Sequence, residues 1–95
     1  MKDVKLRDAH QEFKNFLKIK KHSNSTIVAY GKDIEQLVSF LEVLQKNKIY
    51  EVTKEDIEAF LGKMQKEGYT PKSISRKINS TRTFYRFLKI NEYVT

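Results

Sequence analysis

The sequence predicts an all-helical fold, and three observations carry that reading. Only three Gly and one Pro interrupt 95 residues, and β-branched residues do not gather into runs of strand length. Apolar residues recur at three- and four-residue spacing in four separate segments. N-cap chemistry precedes three of those segments. The length fits one domain. A chain of this size buries roughly 60–65% of its unfolded surface, enough for one modest core.

Met1 to Lys5 is expected to fray. The first helix is predicted from about Leu6 to Lys21. Leu6, Ala9, Phe13, Phe16, Leu17 and Lys20 share one side, and Ile19 falls outside it. His22-Ser23-Asn24-Ser25-Thr26 is a turn of N-cap residues, with Ser23 read as a cap. The second helix then runs from about Ser25 to Gln45. Ile27, Tyr30, Ile34, Leu37, Val38, Leu41 and Leu44 form its buried side. Ser25, Ala29, Lys32, Gln36 and Ser39 lie opposite, and Asp33, Glu35 and Glu42 lie to the sides.

Lys46 to Val52 is a connection anchored by Ile49 and Val52. Thr53 and Asp56 read as a capping box. The third helix follows to about Lys66, with Ile57, Phe60, Leu61 and Met64 on one face. Its early acids Glu55, Asp56 and Glu58 suit the positive end of the helix dipole and make it scaffold.

The fourth helix opens at Thr70-Pro71, a cap followed by a residue that needs no N–H, after Gly68 has closed the third. Ile74, Ile78, Tyr85 and Leu88 define its inner side, with Thr81 in the same row and Phe84 and Phe87 flanking. Lys72, Arg76, Asn79, Thr83 and Arg86 lie opposite. No Asp or Glu occurs between Gly68 and Asn91. A solvated face ordinarily mixes signs, because Glu–Lys pairs three or four apart stabilise a helix by about 0.2–0.5 kcal/mol each. Asn, Ser and Thr interleave with Arg and Lys here, a mixture suited to phosphates and base edges. Ser23 to Leu41 and Thr70 to Leu88 also align at an offset of 47, pairing Ser23 with Thr70 and Thr26 with Ser73. Two helices are thus expected to be capped alike.

Nineteen Lys plus Arg against 12 Asp plus Glu give a net charge of +7 and a pI near 9.6. That balance favours a polyanionic partner. No segment approaches the ~20 apolar residues of a membrane span, and no signal-peptide core follows the start. The absence of cysteine rules out disulfides and thiolate metal sites and fits a reducing, cytoplasmic setting. His10 and His22 lack partners at metal spacing and are expected at the surface. There is no glycine-rich phosphate loop and no paired acid and base. No catalytic, cofactor-binding or metal-binding residue is predicted.

Ser23 to Leu41, Ile49 to Leu61 and Thr70 to Leu88 together resemble the N-terminal core-binding domain of tyrosine recombinases, the phage-integrase superfamily. The resemblance covers nearly the whole chain from Phe13 onward. It implies a four-helix SAM-like orthogonal bundle forming half of a clamp around duplex DNA during site-specific recombination or integration. Residues 1–95 would be that domain, joined in the parent to a catalytic domain expected after residue 95. The chain would have no strand-cleavage activity alone, and the parent would need no metal or high-energy cofactor. Carried onto this sequence, the DNA face comprises Ser25, Thr26 and Lys32 on the second helix, and Lys72, Ser73, Arg76, Lys77, Asn79 and Arg86 on the fourth. Lys77 falls near the buried side and is expected to snorkel toward phosphate. Gly31 stands where the family often has a basic residue.

Lys32, Lys72, Arg76 and Arg86 are expected to neutralise phosphates, with a slope of roughly −3 to −4 in log K against log salt. Arg76 and Asn79 are the candidates for base edges. The expected partners are double-stranded DNA and other recombinase protomers in a DNA-bound tetramer, with the isolated domain monomeric and no membrane involved. Two alternatives stand beside this one. One is a protein-interaction bundle using Ile19 and Val43. The other is an unrelated helix-turn-helix regulator, against which the long fourth helix argues.

Overall fold

The structure, a computed structural model, describes residues 3–94. Four helices follow in order: α1 (Leu6–Ile19), α2 (Asn24–Val43), α3 (Lys54–Lys66) and α4 (Pro71–Ile90), with a 3₁₀ turn at Ile49–Glu51. The all-α, four-helix architecture is the one expected. The bundle is flat, 34 × 32 × 18 Å, with α2 packed against each of the other three helices.

Helix starts follow the side-chain chemistry. Ser23 Oγ accepts from the Thr26 N–H at 3.1 Å, and Thr70 Oγ1 accepts from the Ser73 N–H at 3.1 Å. Each hydroxyl also donates to its neighbour, Thr26 Oγ1 or Ser73 Oγ. The offset-47 alignment therefore corresponds to two matching caps. Thr53 and Asp56 form the reciprocal box, at 3.2 and 2.9 Å.

All four helices end alike. Lys21, Gln45, Gly68 and Glu92 have φ of 61°, 62°, 90° and 59°. The next N–H reaches back to the carbonyl of Leu17, Leu41, Met64 or Leu88, which satisfies a free acceptor. Only Gly68 takes that left-handed conformation without a side-chain penalty.

The core is aromatic at one end. Phe13 of α1 meets Phe84 and Phe87 of α4 with ring centroids 5.2 and 5.7 Å apart, and Phe16 meets Phe87 at 5.1 Å. Phe40 and Phe60 join α2 to α3 at 5.7 Å. Leu6, Ala9, Leu17, Ile34, Leu37, Val38 and Leu41 fill the centre. Ile49 is buried and Val52 packs against the core, as their anchoring role requires.

The structure corrects several expectations. Residues 3–5 do not fray. Val4 accepts from the Ile49 N–H, Lys5 bridges Lys48, and the Asp3 carboxylate pairs with Lys48 at 2.8 Å. Met1 and Lys2 lie outside the described residues. Leu44 is 43% exposed because the helix ends just before it. The inner row of α4 is Ile74, Lys77, Thr81, Phe84 and Leu88, with Ser80 and Phe87, while Ile78 and Tyr85 are half-buried against α3. Aliphatic spacing alone centred that row wrongly, since Lys77 and Ser80 are inside. His10 is also buried. α1 crosses α2 close to Gly31, and the His10 Nε2 lies 2.9 Å from the Gly31 carbonyl. A carbonyl only accepts, so Nε2 carries the proton.

Gly62 lies within α3 with open space where a Cβ would stand. Gly62→Ala is expected to stabilise the fold by about 0.5–1 kcal/mol in urea denaturation. Gly68→Ala, at φ 90°, is expected to destabilise it by about 1 kcal/mol.

Candidate nucleic-acid interface

The candidate face lies along α2 and α4, and a buried ionic network joins those helices. Asp33 of α2 is 2% exposed. Its carboxylate accepts from Arg76 Nε at 3.0 Å and Arg76 Nη2 at 2.8 Å, from Lys77 Nζ at 3.0 Å and from Ser80 Oγ at 3.0 Å. All of these donors belong to α4. Lys77 Nζ also donates to Gln36 Oε1 and sits 4.5 Å from the centre of the Tyr69 ring. Gln36 in turn donates to the Tyr69 hydroxyl at 2.9 Å.

Burial by itself would raise the Asp33 carboxyl, but hydrogen bonds from Arg76 and Lys77, with the Lys77 charge, hold it below the usual carboxylate range. The Arg76 guanidinium is pushed upward by its hydrogen bonds to Asp33. No buried side-chain nitrogen or oxygen among the described residues lacks a partner.

Ser25, Lys32 and Arg76 line one shallow cleft of about 620 Å³ with Asn24, Val28 and Ala29. Lys72, Asn79 and Arg86 are exposed farther along α4. Helical rise separates Lys72 from Arg86 by about 21 Å along the axis. Thr26 and Ser73 are half-buried, and their hydroxyls accept from the capping residues.

Lys77 is the exception. It is 1% exposed and turns inward to Asp33 and Gln36, so the expected snorkelling to the surface does not occur. A buried carboxylate draws it in more strongly than water does. Arg76 keeps a side-chain exposure of 45% while gripping Asp33, so it serves the core and the surface at once.

Periodicity puts Asp33 at the side of its helix, and the network that buries it comes from α4, outside the reach of that local pattern. The other acids of α2 are occupied as well. Arg7 of α1 forks onto Glu42 at 3.0 and 2.7 Å and reaches Glu35 at 2.5 Å, and its hydrogen bonds lower both carboxyls. Among the described residues no ion pair engages Lys32, Lys72 or Arg86. Burial pushes the Tyr85 phenol up to about 12, which keeps it protonated near neutrality. No helix among the described residues is long and apolar enough to cross a membrane.

Residues 10–92 match the family model described as phage integrase, N-terminal SAM-like domain. The chain is 35% identical over 83 residues to tyrosine recombinase XerC of Oceanobacillus iheyensis, covering 86% of this chain and 27% of that protein. It is 39% identical over 77 residues to tyrosine recombinase XerC of Bacillus licheniformis, covering 80% and 25%. Against tyrosine recombinase XerD of Staphylococcus epidermidis it is 32% identical over 84 residues, covering 87% and 28%. The chain thus spans about a quarter of the length of these relatives. No solved structure matches it significantly.

Asp33→Asn leaves Lys77 buried without its counter-charge and is expected to cost about 3–5 kcal/mol at pH 7 in urea denaturation. The folded carboxyl lies below its unfolded value, so the Asp33 contribution is complete above about pH 4 and is lost as pH falls through the folded value. The gap between wild type and Asp33→Asn should therefore narrow below about pH 4.

Proposed function

The chain belongs to the family of phage-integrase N-terminal SAM-like domains, and from that premise we propose that it grips duplex DNA as the core-binding half of a tyrosine recombinase. The observation that carries the proposal is a separation of charge. Lys32, Lys72 and Arg86 are exposed along α2 and α4, while Asp33, Glu35 and Glu42 are engaged by cations of α4 or α1. A face of cations without competing carboxylates releases counterions when phosphates replace them. Ser25, Thr26, Ser73 and Asn79 add hydroxyl and amide groups beside those cations, and Arg76 lies between the two helices.

In this reading residues 1–95 form the gripping domain, the catalytic residues lie in a further domain of the parent, and the chain cleaves no strand alone. Its partners are double-stranded DNA and other protomers of the same recombinase. A second reading, protein interaction within that assembly, is favoured by Ile19 and Val43, which are 76% and 81% exposed. Self-association in sedimentation without DNA would favour it.

An amide-shift titration with a short duplex tests the grip. Three unpaired cations predict a salt slope of about −2.7, and Lys72→Ala should reduce it by about 0.9. Kd is expected in the non-specific range of about 10⁻⁴–10⁻⁶ M. Unchanged binding by Lys32→Ala and Lys72→Ala would overturn the assignment of this face.

A further inference from the structure

Arg76 belongs both to the buried network and to the exposed face. The Asp33 oxygens take its Nε–H and one N–H of Nη2, at 3.0 and 2.8 Å. A guanidinium carries five N–H groups in one plane. The end-on fork made by Nη1 and the outer N–H of Nη2 is therefore left intact, in a side chain that is 45% exposed. The anchor itself does not move freely, because Lys77 Nζ and Ser80 Oγ also hold Asp33, each at 3.0 Å.

Two consequences follow. The guanidinium plane is fixed before any ligand arrives, so little rotamer entropy remains to be lost on binding. Its charge is also offset in part by Asp33, which it shares with Lys77, and this weakens its pull on a diffuse phosphate relative to Lys32 or Lys72. A fixed planar fork with a partly offset charge is matched to two acceptors lying in one plane. In the major groove that pair is O6 and N7 of guanine. The surroundings fit a base edge: the same cleft is lined by Ala29 and by Val28, which is 57% exposed.

We propose that Asp33 is a specificity-determining positioning residue, which by pinning Arg76 and offsetting part of its charge makes it a reader of guanine in the cleft between α2 and α4. The proposal rests on the DNA-gripping reading and adds sequence discrimination to it.

The test selects bound duplexes from a randomised pool with the 95-residue chain and measures affinity against salt for the pool. Wild type should enrich guanine at one position by roughly tenfold. Arg76→Lys keeps the charge and the Asp33 pairing but has no fork. It should hold the pool affinity within about twofold and lose the guanine preference. Asp33→Asn releases Arg76 toward phosphate, so the preference should vanish while the salt slope steepens by about 0.9. Circular dichroism establishes that Asp33→Asn is folded under the conditions used. Should it unfold, Arg76→Lys alone decides. Retention of the wild-type preference by a folded variant of either kind overturns the proposal. If wild type shows no base preference while Lys32→Ala and Lys72→Ala weaken binding, the proposal fails and the DNA grip stands. If those two variants bind like wild type, the grip falls and the proposal falls with it.

Discussion

A carboxylate buried to 2% exposure must be paired, and the pairing of Asp33 organises this molecule. The effective penalty for taking such an ion out of water is several kcal/mol, and attraction offsets it only when the geometry is good and the remaining lone pairs are used. Asp33 meets both conditions with four donor contacts, all from one helix. Those contacts fix how α4 is rotated against α2. Once Lys77 and Ser80 are turned inward, Lys72, Asn79 and Arg86 are turned outward by helical geometry. The interaction that builds the inter-helix contact therefore also decides which cations face solvent.

The remaining acids of α2 follow the same logic at lower energy. The Arg7 fork on Glu42 and Glu35 joins exposed groups, and such pairs stabilise a fold weakly. Its effect is chiefly on placement: two negative charges are tied to the α1 side, away from α4. Acids in the first turn belong to α1 and α3, at Asp8, Glu55 and Asp56, whereas α2 and α4 have none there. The two helices that share matching hydroxyl caps are thus also the two with no anionic side chain over their positive ends.

Helices, caps and the apolar rows of α1 and α3 were legible in the sequence, because each depends on residues within one turn or two. Ser23, Thr53 and Thr70 announce their helices by local chemistry. Asp33 was not legible, because its burial depends on Arg76, 43 residues away. A signal did exist. The helical wheel put Lys77 near the inner row, and an inward lysine requires an inward acid. The ordering of residues 3–5 was hidden for the same reason, since their partners lie in the connection after α2. Lys21, Gln45 and Glu92 end helices in a conformation that glycine prefers, so the C-terminal signal was readable only at Gly68.

The cationic side was legible, but the roles within it were not, and the reason is physical. Sequence counts Lys72, Arg76 and Lys77 as three equal charges. The fold divides them into an exposed charge, an oriented fork that shares its carboxylate, and a buried counter-ion. A loose patch of lysines attracts any polyanion and must order its own side chains on contact. Here the backbones that carry Lys32 and Lys72 are held in fixed relation by the Asp33 network, and Arg76 is ordered by that network directly. The backbone part of the entropy of arranging the face, and the side-chain part at Arg76, has already been lost in folding, before a ligand binds. In the proposed role, such a surface would favour a ligand whose charges repeat at a fixed spacing over a flexible anion of equal charge, because the backbones that carry its cations keep their spacing.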